Sequence, residues 1–383
     1  MQTLSTSEAL DPQTVVARLK SLMIEHALPL WSTTGFDDRS GSFVERLTAD
    51  GRADLEAPRR VRVQARQIYC YAKAAQLHWY PSGREIALKA LDRLLKTARS
   101  PDGQPGYVHL LDGEGKVLDA RRDTYDHAFV LLALATVFAI TKDAQVRAEI
   151  DLVLQFLDKQ LRSTHGGFVN GLPAWLPRQQ NPHMHLFEAM IALYEATGEP
   201  QFQNRAGDFF GLFVGNFYDQ KTQTLAEFFE EDWSPIHPAV VEPGHQAEWL
   251  WLLRAFERNT GCPTGRFRAG LMTSALRCTD EATGCLVDEC DTSGRITRAT
   301  RRLWPQTEIA KAFIAQAEVS EPGAEEQAKL ALVRLEQHYL NHPVRGAWYD
   351  QFDADGRSMV DFVPASSFYH VLCAVSEATQ VLE

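Results

Sequence analysis

Six ionisable side chains recur along the chain about once every 60 residues, each at the start of an apolar helical stretch. They are Arg66, His127, His185, His245, Glu308 and His370, at intervals of 61, 58, 60, 63 and 62 residues. A regular period of this kind is typical of repeated supersecondary units. If the units close into a ring, the six helix starts meet in one cavity. Imidazoles, carboxylates and a guanidinium gathered there would suit proton transfer.

The strongest local pattern surrounds His245. The residue follows Pro243-Gly244 and lies in the first turn of a helix, where backbone N–H groups are still unpaired. Glu248 is three residues further on, so both side chains share one helix face. A carboxylate beside an imidazole orients the ring and favours its protonated form. The pattern predicts a general acid or base, and the alternative is a purely structural pair at the helix start.

A second copy of this pattern lies one repeat earlier. His185 and Glu188 have the same spacing at a helix start that follows Asn181, whereas His183 faces another side of the helix. A structural pair is again the alternative. Two copies of His-x-x-Glu at matching positions of two repeats favour a functional role.

The last two repeats add an imidazole, an indole and a carboxylate. His370 opens the last helix; a lone His on an apolar helix is usually a core residue, but its place in the period favours the cavity. Trp304 is a candidate platform for stacking a sugar ring, although a buried Trp is more often plain core. Glu308 is a candidate acceptor for sugar hydroxyl groups.

Two side chains from the early repeats complete the candidate site. Asp126 could accept a hydrogen bond from a substrate hydroxyl, or it could cap its helix as Asp123 or Thr124 would. Arg66 lies in a weakly polar stretch, where a cation could stabilise an enediolate oxygen. The alternative is an ion pair between Arg66 and a neighbouring Glu.

Apolar residues at i, i+3, i+4 and i+7 predict twelve helices. Their ranges are 13–29, 59–79, 83–99, 122–141, 143–162, 182–198, 200–215, 243–260, 264–279, 303–319, 323–341 and 363–380. Short and long connections alternate between them. Three long connections read as β-hairpins around Gly-containing turns: 107–119, 284–297 and 346–361.

Helical hairpins whose long loops share one end predict an all-α, (α/α)6 barrel with short β-hairpins in those loops. Every second helix, beginning with 59–79, would form the inner ring. The rival architecture is an open helical solenoid. We expect residues 1–383 to form a single catalytic domain, since no linker-like segment divides the chain.

Composition excludes several classes of protein. A net charge of −11 disfavours nucleic acid and anionic membranes as partners. The N-terminus lacks the pattern of a signal peptide, and the apolar run 128–140 is too short to span a membrane. We therefore expect a cytoplasmic protein with six free, mostly buried thiols. No Gly-rich phosphate loop, HExxH or Gly-x-Ser-x-Gly motif is present.

At these residues the chain resembles the N-acylglucosamine 2-epimerase superfamily. The matching segments are QARQIY, DTYDHAF, NPHMHLFEA, EPGHQAEWLWLL, WPQTE and SSFYH, which together span nearly the whole chain. The resemblance implies an (α/α)6 barrel whose chemistry needs neither metal nor cofactor. It also implies a monosaccharide substrate.

The resemblance assigns roles to individual residues. It implies proton transfer by His245 and His370 with help from His185. It implies substrate-binding roles for a further set: Arg66, Asp126, Asn181, Glu188, Glu248, Trp304 and Glu308.

Within the family, the segments before His245 and His370 look most like the branch of mannose isomerases. The expected reaction interconverts D-mannose and D-fructose, and also D-lyxose and D-xylulose, through a cis-enediol. A sugar 2-epimerase acting on mannose and glucose, cellobiose or N-acylglucosamine is the nearest alternative. A glycoside hydrolase, a sugar-binding protein and a metal site built from the His cluster are alternatives of other classes. A monomer or homodimer is expected.

Overall fold

Helices dominate the computed structural model, which describes residues 11–383. They are α1 Val15–Leu22, α2 Leu28–Thr33, α3 Val61–Gln76, α4 Gly83–Thr97, α5 Thr124–Thr141, α6 Ala144–Phe156, α7 Asn181–Thr197, α8 Pro200–Leu212, α9 Pro243–Thr260, α10 Gly265–Arg277, α11 Leu303–Ala317, α12 Ala324–Leu335 and α13 Phe368–Leu382. A π-helical turn, Met23–Ala27, joins α1 and α2 into one element. The described part of the chain therefore holds the twelve predicted helical segments.

The helices form two concentric rings because their apolar surfaces differ. The inner helix α5 is apolar on nearly all sides and buried along most of its length. The outer helix α4 is amphipathic and turns only one stripe inward. The inner ring consists of every second helix, as predicted: α3, α5, α7, α9, α11 and α13.

Short strands surround one end of the inner ring. They are β1 Phe36–Asp37, β2 Ser42–Phe43, β3 Arg46–Thr48, β4 Arg59–Arg60, β5 Leu110–Leu111, β6 Val117–Asp119, β7 Arg122–Asp123, β8 Gly171–Leu172, β9 Arg178–Gln179, β10 Tyr218–Asp219, β11 Thr224–Leu225, β12 Phe228–Phe229, β13 Glu289–Cys290, β14 Ile296–Arg298, β15 Arg301–Arg302, β16 Gln351–Phe352 and β17 Phe362–Pro364.

The backbone just before each inner helix pairs with the loop of the following repeat. Thus β4 pairs with β5, β7 with β8, β9 with β12, and β15 with β16, while Val241 bridges to Cys290. These antiparallel pairs fix the direction in which each inner helix begins. They thereby fix the residues in its first turn.

The ring is closed, so the open solenoid is excluded. The last of these strands, β17, pairs with β3 at the beginning of the chain. Gln67 of α3 donates a hydrogen bond of 2.7 Å to the carbonyl of Ala365, just before α13. The Tyr69 and Tyr369 rings meet edge to face at 5.3 Å. The predicted (α/α)6 barrel is confirmed.

Two loop predictions need correction. The predicted hairpin 107–119 forms as β5 and β6. A hairpin also forms in 284–297, but its first strand is β13, which begins one residue after the predicted segment 284–288. In 346–361 only a tight turn forms, with one bridge between Phe352 and Ser358. There β16 pairs with β15 instead, and β17 occupies the residues predicted to begin the last helix. Pairing between neighbouring repeats therefore overrides local hairpin pairing.

Helix α5 is long and apolar enough to cross a membrane, but 72% of its 18-residue apolar window is buried inside the barrel. An inner helix of a barrel is covered by other helices on nearly all sides, so it can be as apolar as a helix that crosses a membrane. The cytoplasmic location and the oligomeric state stay predictions.

The prediction of six free thiols is wrong for one pair. Cys278 and Cys290 form a disulfide, while the other four cysteines are free. The segment between the two cysteines folds back on itself, with Thr279 bridged to Leu286 and the Val287 N–H donating to the Cys278 carbonyl at 3.0 Å.

Candidate active site

The strand-lined end of the barrel gathers the starts of the inner helices. Phe129 lies between Arg66 and His185, with its ring 4.1 Å from the guanidinium carbon and 4.4 Å from the imidazole centroid. Trp304 contacts both His245 and His370, with its ring centroid 4.8 Å from the first imidazole and 5.8 Å from the second. Side chains from helices far apart in sequence therefore surround one polar centre.

A side chain with the same structural role recurs near the start of five inner helices. Gln64, Gln246 and Gln306 each bind both the N–H and the carbonyl of one buried residue in the loop before their helix. His127 and His183 occupy the equivalent position. Each accepts a loop N–H at Nε2, at 2.9 Å, and has Nδ1 against a carbonyl of its own helix start. These five side chains fasten loops to inner helices.

The sequence period therefore mixes two structural positions. Arg66, His185 and Glu308 lie two residues after the fastening residue of their helix, and this position faces the polar centre. His127 is itself a fastening residue, and Phe129 takes the inward position of α5. Both ring nitrogens of His127 are engaged, so His127 has no free atom for chemistry.

Replacing His127 by Leu should destabilise the fold. The buried N–H of Tyr107 would lose its partner, which costs about 2 kcal/mol in the free energy of unfolding. His127→Gln should restore most of this loss, because Gln fills the same position in three other repeats. Chemical denaturation of both variants measures the difference, and equal stability of the two would contradict the role.

Three imidazoles are each held by a buried carboxylate at Nδ1. His185 Nδ1 lies 2.9 Å from Glu188, His245 Nδ1 lies 2.8 Å from Glu227, and His370 Nδ1 lies 2.8 Å from Glu308. An ionised carboxylate accepts only, so Nδ1 carries the proton in each pair. The second nitrogen, Nε2, is left available to a substrate.

The predicted pairing of His245 with Glu248 is wrong. Its partner is Glu227, from the loop between β11 and β12, with Glu242 at 3.9 Å. The shared helix face allows such a pair, as His185 and Glu188 show, but Nδ1 of His245 binds the loop carboxylate instead, and Glu248 makes no hydrogen bond with it among the described residues. Nothing in the sequence marks Glu227, because the strand pairing of its loop brings it to the site. The predicted pair of His185 with Glu188 is confirmed.

The charge state separates His245 from the other two imidazoles. Burial opposes protonation of His245, but Glu227 and Glu242 raise its pKa to about 9. Burial lowers the pKa of His185 to about 4 and that of His370 to about 3, and the Arg66 cation adds to both shifts. Near neutral pH the site thus holds one imidazolium and two neutral imidazoles.

Glu248 lies between two of the His–Glu pairs. Its carboxylate is within 4.8 Å of the polar atoms of His185 and Glu188, and within the same distance of Glu308 and His370. Burial and the charge of Glu308 raise its pKa well above the ordinary range. Its Oε1 has no hydrogen-bond partner among the described residues. A protonated Glu248 could therefore donate to a substrate oxygen.

Arg66 is a buried cation without a carboxylate partner in residues 11–383. Its guanidinium donates to the Tyr125 hydroxyl at 2.8 Å and to the Ser366 carbonyl at 3.4 Å. The alternative of an ion pair with a Glu is therefore wrong. An uncompensated charge in this position is suited to a developing oxyanion.

Three of the predicted substrate-binding carboxylates are already engaged. Asp126 accepts from Arg62 at 3.1 Å and contacts His109 at 2.6 Å. Glu188 binds His185 and the Tyr369 hydroxyl. Glu308 binds His370 through one oxygen and forms an ion pair with a buried lysine, at 2.6 Å, through the other. All three orient neighbouring side chains.

Trp304 and Asn181 remain open to a ligand. Trp304 is only half buried, and a Cβ atom on Gly244 would come within 2.5 Å of its ring. A glycine before His245 therefore lets the indole approach α9. The Oδ1 atom of Asn181 is buried without a partner among the described residues.

The same side chains are the candidate ligands for a metal. His185, Glu188 and Glu248 form one group of three, and Glu248, Glu308 and His370 form another. The ammonium group against Glu308 already supplies a positive charge there, which opposes a divalent cation in the second group.

Comparisons with known proteins agree with this architecture. Residues 41–374 match the family model described as N-acylglucosamine 2-epimerase. The chain is 35% identical to a protein of Rhizobium meliloti (strain 1021) named mannose-6-phosphate isomerase, across 98% of this chain and 99% of that protein.

Two solved structures share the fold. A crystal structure of D-mannose isomerase gives a TM-score of 0.85 at 24% identity and covers 98% of this chain and 100% of that one. Cellobiose 2-epimerase from Spirochaeta thermophila DSM 6192 gives 0.86 at 21% identity, covering 97% and 98%. At these identities the likeness extends to the fold alone.

Proposed function

The chain belongs to the N-acylglucosamine 2-epimerase family and is a sugar isomerase or epimerase, and within that class we propose that it interconverts D-mannose and D-fructose. D-lyxose and D-xylulose are the corresponding pentose pair. One observation carries this proposal: a neutral imidazole, His370, and an imidazolium, His245, both contact Trp304. The pair supplies a base and an acid to one sugar.

His370 is the proposed base. Its Nε2 removes the proton from C2 of open-chain mannose and returns it to C1, so that the cis-enediol is the intermediate. A nitrogen whose conjugate acid has a low pKa keeps its lone pair free at neutral pH. Glu308 fixes the orientation of the ring.

His245 is the proposed acid. It protonates O1 as the C1 carbonyl becomes part of the enediol, and it recovers a proton from the 2-hydroxyl as C2 becomes the ketone. The proton count is therefore unchanged over the reaction, and no redox partner is needed. His185 assists opening of the sugar ring.

Fixed donors stabilise the negative charge that develops on the sugar oxygens before His245 completes proton transfer to O1. We assign these oxygens to the Arg66 cation and to the protonated carboxyl of Glu248. Trp304 stacks on the sugar, and Asn181 accepts a hydroxyl. Asp126, Glu188 and Glu308 act indirectly, since their oxygens already bind Arg62, His185 and His370.

A chelator-treated sample in heavy water should form fructose from mannose, with deuterium entering at C1. NMR of the products separates this outcome from 2-epimerisation, which puts deuterium at C2 of an aldose. Absence of fructose would contradict the proposed reaction. Hydrolysis of a glycoside, or sugar binding without turnover, that persists after loss of both His245 and His370 would instead favour a glycoside hydrolase or a sugar-binding protein.

Mannose 6-phosphate is a second candidate substrate, favoured by the name of the relative that is 35% identical. Apart from Arg66, which we assign to the reacting sugar oxygens, three arginines near the site argue for the free sugar because each is already paired with a carboxylate. Arg60 pairs with Glu45, Arg62 with Asp126, and Arg302 with Glu242. A phosphate would have to compete with these carboxylates. Comparing kcat/KM for mannose and mannose 6-phosphate decides, and we expect the free sugar to be preferred.

A further inference from the structure

Lys311 is a fully buried cation directly behind the proposed base. It lies one turn after Glu308 on α11, and its Nζ is 2.6 Å from Glu308 Oε2. The other oxygen of Glu308 is 2.8 Å from His370 Nδ1. The Lys311 ammonium therefore contacts the Glu308 carboxylate, which in turn contacts the His370 imidazole at the polar centre.

The surroundings of Lys311 keep it in place and charged. Its Nζ lies 3.7 Å from the centroid of the Trp251 ring, which is a cation–π contact. Burial alone would lower the pKa of Lys311, but Glu308 and Glu248 raise it above its ordinary value. Lys311 thus retains its proton throughout the physiological range.

Three buried carboxyl groups share this region: Glu188, Glu248 and Glu308. Carboxylates this close cannot all ionise without a compensating cation. The pKa of Glu248 is raised well above its ordinary value by burial and by the charge of Glu308. Burial also acts to raise the pKa of Glu308, but Lys311 and His370 hold it below its ordinary value. The ammonium therefore keeps Glu308 ionised beside a Glu248 whose pKa is raised.

We propose that Lys311 is a positioning residue that sets the tautomer of His370 through Glu308. An ionised Glu308 can only accept a hydrogen bond, so the imidazole proton resides on Nδ1 and the Nε2 lone pair faces the substrate. A neutral Glu308 would donate its own proton to Nδ1. The imidazole proton would then move to Nε2, and the base would be lost.

The inference rests on the proposed function only for the step that His370 serves; the tautomer itself can be measured without substrate. Histidine labelled with 15N reports which ring nitrogen carries the proton, and the signal of His370 is identified by its loss in His370→Gln. We expect Nδ1–H in the unmodified protein at neutral pH. A proton on Nε2 would overturn the proposal, even if Lys311 variants failed to fold.

Lys311→Met removes the charge while it keeps the length of the side chain. We expect kcat/KM to fall about 100-fold, a loss typical of a misplaced general base, and the His370 proton to move to Nε2. A folded Lys311→Met protein with an unchanged His370 tautomer would contradict the proposal.

A double variant separates positioning from packing. If Lys311 acts through the charge of Glu308, adding Lys311→Met to Glu308→Gln should cause no further loss of kcat/KM. If the fold-loss of kcat/KM in the double variant equals the product of the losses in the two single variants, Lys311 acts independently of Glu308. If the protein acts on no mannose or fructose, the labelled spectra still decide the inference, so the two failures are distinct.

Discussion

Replacing His370 by Gln should lower kcat by about 10³-fold, the loss expected when a general base is removed from a proton-transfer step. The imidazole Nε2 is the only atom to which we assign removal of the C2 proton. Gln offers an amide at this position, which cannot take a proton near neutral pH. The KM for mannose should change little, because Trp304 and Asn181 supply the proposed contacts to the sugar.

The measurement is steady-state mannose isomerisation, with the exchange of the C2 proton followed by NMR. His127→Gln is the matched control, since it makes the same replacement at a buried imidazole outside the chemistry. A His370→Gln protein that still exchanges the C2 proton at the unmodified rate would exclude His370 as the base.

Replacing Glu227 by Gln should shift the alkaline limit of activity downward. Burial lowers the pKa of His245, and Glu227 is the first of the carboxylates that raise it to about 9. The acid form of His245 is lost as the pH rises through this pKa, so activity should decline above about pH 9 in the unmodified protein. Without the charge of Glu227, the decline should begin at lower pH.

The expected size follows from the protonated fraction. If the pKa of His245 returns to its ordinary value of 6.5, kcat at pH 8 falls roughly 30-fold, whereas the loss below pH 6 is small. Glu230, an exposed acid just after β12, provides the matched control, and Glu230→Gln should leave the profile unchanged. Identical pH profiles for Glu227→Gln and the unmodified protein would show that His245 is not the acid.

The amino-acid sequence by itself determined the succession of helices and the end at which the inner ones begin, whereas the pairing of β17 with β3 in the structure showed that the ring closes. An apolar stretch such as that of α5 can be buried only inside the barrel, and the alternation of short and long loops forces the inner helix starts to one end. The helix ranges follow from this periodicity, and so does the local pair His185–Glu188, whose partners lie one turn apart. Local spacing is sufficient wherever both partners belong to one helix.

Only the tertiary structure decided which partner each remaining side chain has. Glu227 reaches His245 because strands of neighbouring repeats pair, and His370 meets Glu308 because α11 and α13 are adjacent in the closed ring. His127 has the right residue type and spacing, yet it fastens a loop, since an α-helix presents residues two positions apart in different directions. Spacing of about 60 residues locates a helix start, but the direction of a side chain depends on single-residue register, which the strand pairs at the mouth of the barrel set.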